Sequence, residues 1–133
     1  MRVKTVAGFA PLIAGGLTDE RRTALLATLD SPAWLGHPDL RWAVPFSTSP
    51  DDPGFRARSY WRGPTWPFFN WLLWWALDRL GDIERADRLR AASLDQLRHI
   101  DFAEYVEPFT GEPLVSLDQS WTAAVALDWL AVD

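Results

Sequence analysis

A chain of 133 residues, 48% of them apolar, carries enough hydrophobic material for one real core. Its formal net charge of −5, from 13 basic and 18 acidic residues, offers no basic cluster to displace counterions from phosphate, which argues against a nucleic-acid partner. The absence of cysteine excludes disulfides and thiolate sites, and two isolated histidines, His37 and His99, give no basis for a metal centre or a cofactor.

Met1 to Ala10 lacks a charged start followed by a long apolar run, so no signal peptide is expected there. Thr18 is a suitable N-cap, with Asp19 and Glu20 placed to favour the positive end of a helix dipole. The helix should run to about Leu29 with Ala24, Leu25 and Leu29 inward, and Ser31-Pro32 stops it. From Pro32 to Gly63 the chain is a long proline-rich connection, of a kind that is usually functional when ordered. Within it, Asp51 and Asp52 read as turn residues before Pro53.

The next helix is predicted from Pro64 or Thr65 to Leu80, with Gly81 at its C-terminus. It is apolar all round from Thr65 to Leu77 and should be buried; that stretch is too short to span a bilayer and contains Pro67 and Asn70. The reading at this point is a soluble cytoplasmic chain without a membrane partner. Asp82 should cap a following helix from Ile83 to about Arg98, with Ile83, Ala86, Leu89 and Leu97 on one stripe and charges opposite. "FAEYVEPFTGEP", Phe102 to Pro113, reads as a short extended arm with a turn at Thr110-Gly111. A mostly apolar last helix spans Gln119 to Leu130. The class is therefore all-α, and its alternation of buried and amphipathic helices suits an α/α toroid better than a free-standing bundle.

Three segments go beyond packing. The first is Tyr60-Trp61-Arg62-Gly63-Pro64 with Trp66 and Asn70, at a loop-to-helix junction. The second is Glu104 flanked by Phe102 and Tyr105; the third is Gln119-Ser120-Trp121-Thr122-Ala123 at a helix start. Aromatic rings with a few polar groups suit sugar faces and hydroxyls, and Arg62 suits a sugar hydroxyl or a carboxylate. Trp71, Trp74 and Trp75 read instead as plain core.

In order and spacing, "YWRGPTW…NW", "FAEYVEPFTGEP" and "SWTAAVALDWL", preceded by "FAPLIAGGL" and "DDPGF", resemble the C-terminal part of glycoside hydrolase family 63 and its relatives. These relatives include mannosylglycerate and glucosylglycerate hydrolases, α-glucosidases and, more distantly, trehalases. The resemblance implies a single domain over 1–133 forming four to five helices of a partial (α/α)6 toroid. It implies inverting, exo-acting hydrolysis of α-glucosides or α-mannosides, including glucosyl- or mannosylglycerate. Glu104 matches the general base; Tyr60, Trp61, Arg62, Trp66, Tyr105 and Trp121 match the sugar-binding wall. Inversion also needs a protonated carboxylic acid roughly 6.5–9.5 Å from the base. The family's acid motif lies in the earlier half of the barrel, and nothing in this chain matches it; a remoter reading has Asp51 or Asp52 supply the acid, in cis or from a second subunit. By the family's pattern Met1 falls inside the domain and Asp133 near its end. Three readings follow: an inverting glycosidase domain, a non-catalytic sugar-binding or oligomerising remnant, or one piece of a split enzyme. The inner-type helices imply a homo-oligomer or a complementary polypeptide.

Overall fold

The computed structural model describes residues 3–131; Met1, Arg2, Val132 and Asp133, the ends of the stretch read above as one domain, lie outside them. Its described part is all-α. The helices are α1 (Ala10–Ala14), α2 (Asp19–Leu29), α3 (Pro67–Arg79), α4 (Ile83–Leu97) and α5 (Ser120–Ala131). A minimal antiparallel hairpin joins β1 (Tyr105–Val106) to β2 (Pro113–Leu114). No described helix is long and apolar enough to cross a membrane. α3 is the central element, packing against α1, α4 and α5.

α2 starts as its sequence suggests, with Thr18 Oγ1 accepting from the Arg21 amide at 3.4 Å. Its inward face is shifted, however. Leu25, Leu26 and Leu29 pack on the core, whereas Ala24 is exposed and its carbonyl takes the Thr28 hydroxyl on the wet side. No helix is expected before Thr18, yet a 3-10 turn at Val6–Phe9 leads into α1, burying Val6, Phe9 and Leu12.

α3 begins at Pro67 rather than at Pro64 or Thr65. Pro67 fits the first turn, and the residue before a proline is driven to extended geometry, so Trp66 (φ −124°, ψ 116°) becomes the N-cap. Thr65 is thereby left to pair like a strand, bridging Phe46 on one side and Val106 on the other. The helix stops at Arg79, with Leu80 as C-cap and Gly81 at φ 75° just beyond. The expected all-round burial is only partly realised: Asn70, Leu73, Trp74, Ala76 and Leu77 are buried, whereas Phe68, Phe69, Trp71, Leu72 and Trp75 are half-buried. α4 is capped by Asp82, whose Oδ1 accepts from the Arg85 amide at 3.4 Å. Its stripe holds Ala86, Leu89, Ser93 and Gln96, with Leu97 half-buried, whereas Ile83 at its first position is exposed.

Buried polar side chains link α3, α4 and Thr65, just ahead of α3, in a short hydrogen-bonded chain. Gln96 Nε2 donates to Thr65 Oγ1 at 3.0 Å, and Asn70 Nδ2 donates to Gln96 Oε1 at 3.3 Å. The long connection from 32 to 63 is ordered by the core it supplies: Trp34, Trp42, Val44 and Phe46 are all buried. It ends at Gly63, where an added Cβ would sit 2.6 Å from the Arg56 carbonyl oxygen. The N-terminal segment is tied to it through Asp52, which accepts from the Lys4 amide at 2.9 Å and the Gly54 amide at 2.8 Å.

Gly63→Ala is expected to cost ~1–3 kcal/mol, because backbone rather than a flexible side chain must give way. The urea midpoint should fall with an unchanged slope; an unshifted midpoint would contradict the close approach. The Lys4 amide first, and the Gly54 amide second, hold the Asp52 carboxyl below the ordinary aspartate value of 3.8. A lowered native pKa gives stability that is present above 3.8 and lost as the pH falls through the native value. Asp52→Asn should therefore be less stable than the parent at neutral pH, with the difference closing in acid; a gap independent of pH would refute this.

Candidate functional site

The site is built where the long connection turns into α3. Ser59 to Arg62 turn tightly, with Tyr60 at φ 40°, a left-handed geometry uncommon for a tyrosine. That turn lays Trp61 flat on Trp66, ring centroids 4.2 Å apart and planes within 3°. The Thr65–Val106 pairing sets Trp66 next to Tyr105, at 4.7 Å between centroids, and Tyr60 meets both rings edge-on at 5.2 and 5.9 Å. Each such contact adds roughly 0.5–1.5 kcal/mol beyond the area it buries. The structure thus brings Tyr60, Trp61, Trp66 and Tyr105 into one cluster. Among the described residues Trp121, on the first turn of α5, meets it through Phe68, 6.1 Å from Trp121 and 5.9 Å from Trp66.

Within the cluster the rings have different standing. Trp66 is 2% exposed and Tyr105 is buried, so they form a floor; Tyr60 and Trp121 are exposed and Trp61 is half-buried. Burial pushes the Tyr105 phenol above its ordinary pKa, and the neighbouring Glu104 charge raises it further. A bidentate Arg58–Glu112 pair straps the Tyr60 turn to the hairpin, and the Arg58 guanidinium holds the Glu112 carboxyl below its usual range. Glu112 is one of the residues at the hairpin turn, and this cross-link is its role there.

Glu104 precedes β1 and is half-buried. Its segment is zipped to the chain entering α5. The Phe102 amide donates to Leu117 O at 3.0 Å, the Gln119 amide to Phe102 O at 2.8 Å, and the Glu104 amide to Ser116 O at 2.8 Å. Ala103 is fully buried between them. Among the described residues the Glu104 carboxylate enters no salt bridge.

Among the described residues Arg62 makes no cation–π contact with Trp66 or Tyr105. With Trp61, Thr5, Thr48 and Gly54 it lines a cleft of about 430 Å³. Asp52, close by in sequence, is held ionised by two backbone amides and is therefore the wrong form for a general acid. Asp51 is exposed, 3.9 Å from Lys4 Nζ. Sequence reasoning passed over Glu107, a buried carboxylate that accepts from the Phe109 amide at 2.9 Å and the Thr110 hydroxyl at 2.7 Å. The signal was there: an acid three residues before Thr110, in a loop with Gly111 at φ 79°, reads as a turn-closing acceptor.

The family model described as "Mannosylglycerate hydrolase MGH1-like glycoside hydrolase domain" matches residues 1–122. Glucosylglycerate hydrolase from Mycolicibacterium hassiacum is 54% identical over 96% of this chain and 28% of its own length. Mannosylglycerate hydrolase MGH1 from Selaginella moellendorffii is 40% identical, over 95% of this chain and 25% of its length. The crystal structure of the GH63 mannosylglycerate hydrolase from Thermus thermophilus in complex with Tris and D-glycerate superposes with a TM-score of 0.82 at 37% identity. That match covers 96% of this chain and 30% of the crystallised one. The chain therefore spans less than a third of the length of the relatives it matches, and its helices form part of an (α/α)6 toroid.

Proposed function

Because this chain belongs to the mannosylglycerate hydrolase MGH1-like glycoside hydrolase family, we propose that it forms the C-terminal, base-bearing portion of an inverting exo-hydrolase. Its substrates are α-glucosides or α-mannosides, foremost glucosylglycerate or mannosylglycerate, and its place is the cytoplasm. The observation that carries this reading is Glu104, fixed by its own amide beside the Tyr60–Trp61–Trp66–Tyr105 cluster. Support also comes from the relatives, two of which are named for hydrolysis of these two glycerate glycosides.

In the proposed reaction the Glu104 carboxylate takes a proton from water, whose oxygen forms the new bond to the anomeric carbon as the bond to the aglycone oxygen breaks. The aglycone oxygen takes its proton from a carboxylic acid on the opposite side of the sugar. Asp52 does not suit that role and no residue of this chain matches the family's acid motif, so on this reading the acid comes from outside these 133 residues. Trp61 and Tyr60 carry the sugar face above Trp66 and Tyr105, Arg62 takes a hydroxyl or carboxylate, and Trp121 closes one side.

A second reading, a sugar-binding or assembling module without catalysis, is favoured by one observation. α5 has a single charged residue, Asp128, and Leu127 and Leu130 are 70% and 68% exposed on it. A helix apolar all round but packed on one side calls for a covering partner. We propose a complementary polypeptide or a second copy.

α-Glucosyl fluoride separates the readings, because fluoride leaves without a proton. The chain should release β-glucose first, by proton NMR, and Glu104→Gln should lower the rate by roughly 10²–10⁴-fold. Equal rates for parent and variant, or the α-anomer appearing first, would refute Glu104 as base. Light scattering should give a mass above that of one chain, reduced by Leu127→Glu with Leu130→Glu. A monodisperse monomer over a wide concentration range, with no uptake of an acid-bearing polypeptide, would remove the case for a partner.

A further inference from the structure

We propose, on the reading of Glu104 as the base, that Thr122 is the residue that aims it. The Ala103–Glu104 peptide unit has two polar ends, the Glu104 N–H and the Ala103 carbonyl. The N–H donates to Ser116 O at 2.8 Å, a backbone contact that any sequence could make. The carbonyl accepts from Thr122 Oγ1 at 2.8 Å, a contact that only this side chain supplies. Thr122 is fully buried, and so is Ala103, so water does not replace the hydroxyl.

A peptide is planar, so pinning both ends fixes its orientation about the chain axis. That orientation sets where the Cα–Cβ bond of the next residue points. The next residue is Glu104. Thr122 thus acts at one remove: it touches neither sugar nor water, but without it the plane is held at its N–H end alone. Its position explains the tie further. Thr122 sits in the first turn of α5 beside Trp121, whose ring contacts the aromatic cluster through Phe68. One helix start therefore sets both a wall of the site and the direction of its carboxylate.

The plain alternative is that Thr122 merely fills space under α5. The two roles separate with Thr122→Val, which keeps the shape and removes the hydroxyl, and Thr122→Ser, which keeps the hydroxyl. A positioning role predicts that Thr122→Val lowers kcat for α-glucosyl fluoride about a hundredfold while KM stays within about threefold. Thr122→Ser should retain parental kcat. In the folded chain, hydrogen exchange at the Glu104 amide should also quicken at least about tenfold in Thr122→Val, with the Val106 amide unchanged. Thr122→Ala serves the same comparison should the valine variant lack the parent's helical circular dichroism.

Unchanged kcat and unchanged Glu104 exchange in the valine or alanine variant would overturn the role of Thr122. So would an equal loss of kcat in Thr122→Ser. If the parent and Glu104→Gln turn over the fluoride equally, the base reading fails by itself. Amide exchange at Glu104 then still decides whether Thr122 fixes the plane.

Discussion

The placement of every ring in the aromatic cluster passes through the backbone of Thr65. Pro67 forces Trp66 into extended geometry and starts α3 there, which leaves Thr65 outside the helix to exchange two 3.0 Å hydrogen bonds with Val106 while bridging Phe46 on its other edge. Three segments distant in sequence meet there: the middle of the long connection at Phe46, the residues leading into α3, and the hairpin. The Thr65 hydroxyl adds a fourth tie, since it accepts from Gln96 of α4. Because side chains alternate along extended backbone, pairing Thr65 with Val106 sets Trp66 beside Tyr105. Trp61 then has a flat surface to lie on, and Tyr60 an edge to fill. If that pairing slipped by one residue, the rings would turn to opposite faces and the floor would vanish.

Much of this was legible because it depends on local chemistry. Thr18 and Asp82 announce helix starts through side-chain acceptors, and Gly81 and Gly111 announce turns through positive φ. The start of α3 was misplaced by weighing Pro64 over Pro67, when each proline is compatible with a first turn. What decided between them was tertiary: Thr65 had partners in Phe46 and Val106, which no local rule reveals. The shift from Ala24 to Leu26 on α2, and the exposure of Ile83, have the same origin. A short helix has several stripes of similar hydrophobicity, and the neighbour decides which one is covered. The connection from 32 to 63 shows the opposite failing: its buried Trp42, Val44 and Phe46 do stand at period two, but Pro45 between them and the prolines around them read as loop and mask that signal. For the candidate site, residue types and order located the rings, but only geometry separates the buried pair, Trp66 and Tyr105, from the exposed Tyr60 and Trp121.

The polar groups near the floor carry a cost. Trp66 Nε1 and Asn70 Oδ1 are buried without a hydrogen-bond partner among the described residues. Each such atom forfeits roughly 1–3 kcal/mol of hydration. The stacked rings above and the Asn70–Gln96–Thr65 chain of hydrogen bonds below offset it. Two residues are held in left-handed geometry: Tyr60 in the turn that leads to α3, and Val115, a β-branched residue at φ 66°, just after β2. Such costs persist where surrounding structure over-determines the backbone, and here the Arg58–Glu112 strap and the zipped Phe102–Glu104 segment supply that restraint.

On the proposed reading, assembly and chemistry are coupled through α5. Inversion demands that two carboxyl groups stand at a set separation, with one sugar and one water between them. Glu104 is poorly placed to travel toward an acid, since its peptide is held at both ends and Ala103 is buried. The acid must therefore arrive already placed, which a flexible tether would not achieve and a rigid helical docking would. The outer side of α5 offers such a seat. Leu127 and Leu130 expose it, Asp128 is spoken for by the Trp71 indole at 2.7 Å, and Trp121 lies on the same helix one end nearer the rings. Whatever covers that side is thus held in register with the very helix whose first turn fixes the proposed base.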